Sequence, residues 1–568
     1  MNNNKHSLFK TTKLVSSWIS IKNKWNVLKL VLISIFIGLL EVISLMSILP
    51  ILTTFNNKDN LEISLNLGIN SNNFLLILAF SFALLLCLIS LLKIKTISYG
   101  NFLSAKIGQE IGKKLLNNFL GQELLIHRKR DSSEVINTFS IHLTQTIKFI
   151  IFFLQLIVAL FCTLGVLIFI IYKNPIVVLG TFISVSIIYL FIGRRNKSRN
   201  LRAANDVKNS LDRITSIIKE INSDLENNIL QYRDETITKK FAQYDKLARL
   251  STAKNRNYTL LPRYIIEATA MSSFIFLAML SALILKQDNI TLIATLSASL
   301  FGMQKLLPSM NLIYQSWNMM NFCTPSVYSV KNLIYKYADK DRLKDASYKV
   351  HPFRNLISLS NISFGYKKNK LILKNLNLNL KKGEKLLIKG KSGLGKSTLI
   401  NIICSLLTPS SGEIHIDGKK LGKEISKSQW RRQIGLVKQK PILRSGTILD
   451  LIVGYEVNED KNAALKKARY FANLACIDKF IESLPNKYMH EISENGNSFS
   501  GGQVQRIAIA SILALKPALI ILDESTSGVD INTESQIFKN ILGINDLTIL
   551  AISHSTNVDK FFENKLFL

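Results

Sequence analysis

Six stretches between residues 27 and 317 are apolar over about the 20 residues that a bilayer-spanning helix needs. They are residues 27–55, 74–98, 149–172, 175–193, 264–285 and 290–317. The connections between them alternate in character. Residues 56–73, 173–174 and 286–289 are short and poor in positive charge, whereas 99–148 and 194–263 are long, helical in pattern and rich in Lys and Arg. That asymmetry places the long connections and both termini on the cytoplasmic side. Their periodicity does not break at the membrane edge, so the helices are expected to run on into water. Pro50 and Pro308 fall inside spans as positions for kinks. Turns at 121–131 and 222–234 end the extensions, where a membrane domain would press on a motor domain.

Composition agrees. At 568 residues the chain exceeds one ordinary domain, and 48% of its residues are apolar. The net charge of +33 could suggest nucleic acid, but the Lys and Arg crowd the segments between spans, as a basic cytoplasmic face beside anionic lipid requires. No nucleic-acid partner is expected, and six spans argue against a soluble ATPase of the repair or translation type. Cys87, Cys162, Cys323, Cys404 and Cys476 are far apart with no C-x-x-C pair, which speaks against metal and disulfide roles. The polar, basic first 25 residues lead into a run too long for a signal peptide, so the first span is expected to be retained.

Residues 332–352 turn polar and lose their apolar runs, as a linker does. The expected domains are a membrane domain over 1–335, a linker over 336–352 and a second domain over 353–568. Strand-like alternation begins at 356–364 and returns at 376–380. Then Gly390-Lys-Ser-Gly-Leu-Gly-Lys-Ser397 follows an apolar run and opens a helical pattern, which is a phosphate loop. Its glycines Gly390, Gly393 and Gly395, with Ser392 between them, let backbone N–H groups wrap a polyphosphate. Lys396 reaches the β- and γ-phosphates, Ser397 offers a hydroxyl to Mg²⁺, and Thr398 follows in the same turn. Leu519–Leu522 reads as a buried strand that delivers Asp523 to the metal, and Glu524 comes next as a carboxylate able to polarise water.

From residue 356 to 554 this order of motifs resembles the ATPase of ATP-binding cassette (ABC) transporters, and the six spans before it resemble a half-size exporter. The resemblance implies an α-helical membrane domain with six transmembrane helices, followed by an α/β P-loop ATPase domain with a helical signature subdomain. It implies ATP and Mg²⁺ as cofactors. It also implies a head-to-tail dimer of two cassettes, a homodimer best, or a heterodimer with a second half-transporter. Carried over by motif, Tyr366 resembles the aromatic residue that stacks on adenine. Gln439 resembles the glutamine that senses Mg²⁺ and the membrane domain. Ser500, Gly501, Gly502 and Gln503 resemble the signature that grips the γ-phosphate in trans. Asp530 lies in the loop that crosses the dimer, and His554 resembles the histidine that holds the γ-phosphate and water. Glu494 lies in a stretch resembling the exporter loop that meets the intracellular tips.

Several positions depart from the family's usual residues. Phe499 opens the signature where Leu is usual, Ser493 replaces a Gly, Ser511 an Arg, and Ser527-Gly-Val-Asp530 an alanine- and leucine-containing loop. The chain stops at Leu568, soon after the His554 strand, so the family's closing strand and C-terminal helix are expected to be mostly missing.

For cargo, residues 39–50, 261–267 and 305–309 resemble flippases for lipid-linked oligosaccharides, which makes a polyprenyl-linked saccharide or other glycolipid the leading expectation. Absence of a peptidase domain before the first span argues mildly against a leader-trimming peptide exporter. Export of hydrophobic drugs, lipid A or peptides remains the alternative, and an ATP-switched membrane regulator the alternative of another class. The expected location is the inner (plasma) membrane, multi-pass, with the ATPase in the cytoplasm and membrane lipids as partners. Three charges stand out within spans. Glu41 should face protein or a wet cavity. Arg263 and Glu267 should pair. Lys305 should either meet a lipid pyrophosphate or snorkel to the surface.

Overall fold

The computed structural model describes residues 7–56, 71–173, 175–285, 289–335, 352–366, 370–391, 393–454, 460–492 and 499–568. Two compact units emerge: residues 1–120 with 129–338, and residues 121–128 with 339–568. The expected linker, 336–352, lies outside the described residues except for Pro352.

The first unit is helical. Each of the six apolar stretches falls within a long helix: Ile21–Asn56, Ser71–Leu120, Leu143–Lys173, Pro175–Ser223, Pro262–Leu285 and Asn289–Tyr335. By length and apolar content, four candidate membrane spans stand among the described residues, over Ile21–Ser47, Leu76–Leu120, Ser132–Ile168 and Asp234–Leu280. Helical but outside those four are the run 175–193, which abuts Arg194 and Arg195, and the run 290–317, which contains Lys305. Helices do run on as the unbroken periodicity requires. Ser71–Leu120 has 50 residues, which is about 75 Å at the helical rise and more than twice the thickness of a hydrocarbon core. Pro50 and Pro308 lie within helices that continue past them.

Lipid is as apolar as leucine, so such helices are held together by close approach and by polar bonds. Both are present. The first and third long helices cross at Gly38 and Gly165, where a Cβ on Gly165 would lie 2.6 Å from the Gly38 carbonyl oxygen. Farther along, amide side chains form a buried chain across three helices. Asn200 donates to the Asn318 carbonyl and side-chain oxygens at 2.8 Å, Asn255 donates to Asn200, and Asn318 donates to the Thr259 hydroxyl at 2.6 Å. A further polar knot surrounds a π-helical turn at Thr138–His142. There the buried His142 ring reaches Ser326 at 3.3 Å and Asp212 at 3.2 Å. Burial pushes the Asp212 carboxyl up, but bonds from His142 and Asn137 and the charge of Lys208 outweigh it and hold the group below the usual range.

In the second unit eleven strands stand among the described residues: β1 (Leu356–Phe364), β2 (Leu373–Lys381), β3 (Lys385–Lys389), β4 (Ser411–Ile416), β5 (Lys419–Lys420), β6 (Ile434–Val437), β7 (Gly446–Thr447), β8 (Glu491–Ile492), β9 (Leu519–Asp523), β10 (Thr548–Ile552) and β11 (Asn564–Phe567). β2, β1, β4 and β5 form an antiparallel sheet in that order, and β11, β3, β10, β9 and β6 form a parallel one. β9 and β10 are near-continuous apolar runs because a parallel strand in mid-sheet is covered on both faces. A helical subdomain built from Ile448–Val453, Lys461–Leu474 and Gly501–Ala514 shares one core with one face of this sheet.

One expectation is corrected. The closing strand is present: β11 pairs parallel with β3, and Leu568 N–H donates to the Lys389 carbonyl at 2.9 Å. Four residues suffice for an edge strand, so the short distance from His554 to the chain's last residue misleads. The tip 121–131 contains the helix Leu124–Lys129, and residues 121–128 belong to the second unit, with Leu124 and Leu125 packed on its core. The other tip, 222–234, contains the helix Leu225–Leu230 and exposes Ile229, Leu230 and Tyr232.

The Gly38–Gly165 crossing generates a prediction. Gly165→Leu must push two backbones apart, an overpacking cost of about 1–3 kcal/mol. Its thermal unfolding midpoint is expected to drop by several degrees, whereas Gly112→Ala, whose added Cβ meets only a leucine methyl at 3.4 Å, should leave the midpoint in place. Equal midpoints for the two variants would refute a backbone-contact crossing.

Candidate nucleotide site

The carboxyl ends of four parallel strands bring the expected residues together. Register pairs Ile552 of β10 with Asp523 of β9 and with Ile388 of β3, and Val437 of β6 with Leu522 of β9. The segments that follow these strands therefore leave the sheet side by side. They are the phosphate loop after β3, Gln439 after β6, Glu524 after β9 and His554 after β10.

The phosphate loop runs from Gly390 to the helix Lys396–Ile403. Gly393 and Gly395 have φ of 89° and 97°, the left-handed region that glycine enters without steric cost. Gly390 is needed for space as well, since a Cβ there would lie 2.8 Å from the Leu568 carbonyl oxygen. That second reason was invisible in the motif. Ser392 lies outside the described residues, as do Ser493 and Glu494. Lys396 is buried, and its Nζ donates to the Gly390 carbonyl at 2.6 Å and the Lys391 carbonyl at 3.3 Å and sits 3.2 Å from His554 Nε2. An ammonium held over its own loop by carbonyls can turn those donors to phosphate oxygens.

Around Glu524 the residues converge. Gln439 Nε2 donates to one Glu524 oxygen at 2.6 Å, and His554 Nε2 lies 3.2 Å from the other. Glu524 itself has φ of 48°, a left-handed geometry that costs a non-glycine residue on the order of 1–3 kcal/mol and marks functional turns. Its N–H donates to the Ile552 carbonyl at 3.0 Å, which ties the strained residue to β10. Ser397 lies close enough to Asp523 to favour its ionised form. Burial, and then the adjacent Glu524 charge, push the Asp523 carboxyl above its usual range, while Lys396 and Ser397 pull it back. A carboxylate and a hydroxyl are hard oxygen donors, the chemistry that suits Mg²⁺, so Ser397, Asp523 and the neighbouring Gln439 fit that ion.

Tyr366 is half-exposed beside the start of the phosphate-loop helix, with its hydroxyl 3.3 Å from that of Thr398. Its ring stands edge-on to Phe364 at 5.2 Å, and Arg128 of the tip segment reaches its hydroxyl at 3.4 Å. Ser500 caps the helix Gly501–Ala514 in a reciprocal bond with Gln503. It remains exposed with Gly501, so this helix start can receive an anion. A Cβ on Gly502 would lie 2.5 Å from the Gly528 carbonyl oxygen, so only glycine admits that loop. Asp530 caps the helix Ile531–Leu542 by accepting from Thr533 N–H at 2.9 Å, and this bond holds its carboxyl below the usual range.

The departures find local reasons. Phe499 packs edge-on to Phe480 at 5.7 Å and His490 at 6.0 Å. Ser527 accepts from Gln505 at 3.3 Å, a bond alanine would lack, and Ser511 donates back to the Ile507 carbonyl at 2.9 Å.

Two residues were missed. Gln505, buried in the second turn of the signature helix, donates to the Gln439 carbonyl at 2.9 Å and accepts from Gly528 N–H at 3.0 Å. It thus joins the loops after β6 and β9. Buried Glu534 accepts from Thr526 at 2.7 Å and Ser555 at 2.9 Å, joining the loops after β9 and β10. A polar residue at a position that helical periodicity assigns to the core was the available signal in both.

Residues 373–527 match the family model described as ABC transporter. The chain is 39% identical over 203 residues to a lactococcin-A transport/processing ATP-binding protein of Lactococcus lactis subsp. lactis, covering 36% of this chain and 28% of that one. It is 37% identical over 227 residues to a mitochondrial ATP-dependent permease of Saccharomyces cerevisiae, covering 39% of this chain and 29% of that one. The chain thus matches less than a third of the length of either relative. Its fold is shared along nearly its whole length with a bacterial Atm1-family ABC exporter with ATP bound, at a TM-score of 0.75 and 19% identity over 95% of this chain and 93% of that one. A helical unit thus precedes a C-terminal unit of which residues 373–527 match the ABC transporter family model.

Proposed function

We propose that this protein is an ATP-driven membrane exporter, working by alternating access as a dimer of two such chains. The observation that carries the reading is the convergence of Lys396, Gln439, Glu524 and His554 at one end of a parallel sheet. In this reading all six long apolar helices cross the plasma membrane and the ATPase domain, residues 353–568, faces the cytoplasm. Tyr366 stacks on adenine, and Gly390–Thr398 wrap the phosphates. Mg²⁺, held by Ser397, Asp523 and Gln439, supplies neutralisation of phosphate charge when bound. Glu524 takes the proton of the attacking water, and His554 fixes Glu524 and the γ-phosphate. Ser500 and Gly501 with their helix start act on the nucleotide of the partner chain, which is what their exposure supports.

Cargo is read as a hydrophobic or amphiphilic molecule, with a lipid-linked saccharide as the specific proposal. A cavity of about 680 Å³ in the helical unit supports an apolar cargo, walled by Phe182, Tyr189, Ile313 and Trp317 with Arg194 and Lys197 also lining it. The name of the lactococcin relative favours a second reading, peptide export. Transport assays in vesicles with a fluorescent lipid-linked saccharide and a hydrophobic peptide separate the two: ATP-dependent movement of the peptide alone overturns the saccharide proposal.

Three outcomes test the ATPase assignments. Glu524→Gln should keep ATP binding while turnover falls by about 10²–10⁴-fold, the usual contribution of a general base; near wild-type hydrolysis would remove Glu524 from that role. For the trans role, a mixed dimer of Ser500→Arg and Lys396→Ala subunits places both defects at one composite site and leaves the other whole. Its hydrolysis should exceed that of either homodimer, and wild-type turnover in the Ser500→Arg homodimer would reject the arrangement. Gln505→Ala loses a buried bridge worth about 1–3 kcal/mol, or roughly tenfold or more in kcat where the bridge positions Gln439 in the transition state. KM should hold, and a fall in melting temperature with kcat unchanged would make Gln505 purely structural.

A further inference from the structure

Outside the nucleotide site, charges within the membrane helices form an unbalanced group. Glu41 is the sole charged residue between Lys29 and Asn56, and it is 2% exposed. It pairs with Lys93 of the helix Ser71–Leu120. One turn beyond, buried Ser44 donates to the Glu41 carbonyl at 2.7 Å and accepts from Lys305 Nζ at 2.6 Å. Lys305 is the only charge in its helix before Lys331, and its ammonium also stands 5.2 Å from the centre of the Phe301 ring. Among the described residues its contacts are thus a hydroxyl and a ring, and no carboxylate pairs with it. Two lysines share one carboxylate in apolar surroundings, where charge is costly and a second anion would be welcome.

A cavity opens beside Lys93, one turn of helix from Lys305, which is not itself among the residues lining it. It measures about 280 Å³ and has Lys93 itself in its wall, with Thr96, Asn101, Gln155 and Ser309 as polar groups among apolar ones. Ser309 is the next turn after Lys305 and donates to its carbonyl at 3.4 Å. The cavity is too small for a whole lipid but has room for a phosphate and its first carbons.

We propose that Lys93 and Lys305, half-neutralised by Glu41, form an anion site among the membrane helices that takes the phosphate group of an amphiphile. It rests on the exporter reading only in naming that amphiphile as cargo. An arriving phosphate competes with Glu41 for Lys93 and supplies the counter-ion that Lys305 lacks. Because Glu41, Lys93 and Lys305 stand on three helices, their arrangement differs whenever those helices shift, and a ligand biases a transition only through such differential contacts. Glu41 is then the internal competitor, so removing it should tighten binding, whereas a merely structural ion pair would weaken when either member is lost.

The test uses the full chain purified in detergent, with dioleoyl phosphatidic acid, dioleoylglycerol and inorganic phosphate as probes and the ligand-dependent thermal unfolding midpoint as readout of Kd. Phosphatidic acid should bind saturably and dioleoylglycerol should not. Lys305→Met, which leaves the Glu41–Lys93 pair intact, should raise Kd about tenfold, equivalent to about 1.4 kcal/mol. Glu41→Gln should lower it. The double variant Glu41→Gln/Lys93→Met keeps one cation and no competitor, so a folded protein with a bindable site remains even if Lys93→Met alone fails to fold. Equal binding of dioleoylglycerol, unchanged Kd across the variants, or weakening by Glu41→Gln to match Lys305→Met would overturn the site. Displacement of the lipid by millimolar phosphate would overturn the amphiphile as its source, and failure to displace supports it. Transport that persists with charge-independent binding would sink only this site. Loss of ATP-driven transport with binding intact would sink only the exporter reading.

Discussion

Parallel pairing of β3, β10, β9 and β6 is the constraint on which the nucleotide site depends. A parallel ladder points every strand's carboxyl end the same way, so four segments separated by up to 164 residues (390 to 554) emerge along one edge. A shift of one residue in β9 against β10 would reverse the faces of β9 and carry Asp523 and Glu524 away from Lys396 and His554. Both strands are buried on both faces, so patterning alone does not set this register, and bonds such as Glu524 N–H to the Ile552 carbonyl hold it. Stability and chemistry thus meet in the same residues.

Loop-to-loop bonds complete what the sheet begins. Gln505 spans the loops after β6 and β9, and Glu534 spans those after β9 and β10. Each is buried, so leaving either without its partners would cost more than the bond itself contributes. The left-handed backbone of Glu524 is held by this framework and by its bond to Ile552. The Glu524 carboxylate is therefore aimed by the fold itself.

The helical unit obeys different physics. Within the apolar stretches contact is made where backbones can touch, at Gly38 and Gly165, and in the extensions beyond them buried amides bond along Asn200, Asn255, Thr259 and Asn318. Glu41, Lys93 and Lys305 add charged members to these polar contacts.

Much of this was legible in the residues. Apolar runs of membrane length required helices, because the backbone must satisfy itself locally there. The glycine spacing before Lys396-Ser397 announced a tight loop opening a helix, and the apolar run before Asp523 and Glu524 announced a buried strand, both of which the structure holds. These are local codes, set within a few residues of chain. What the sequence could not show is who meets whom across the chain. The pairing of Glu41 with Lys93, the bridge of Gln505, and the contact of Leu568 with Gly390 join residues 52, 66 and 178 positions apart (41 to 93, 439 to 505, 390 to 568). The closing strand β11 was misjudged for the same reason. Four residues carry too little pattern to announce a strand, and only the open edge of β3 makes them one.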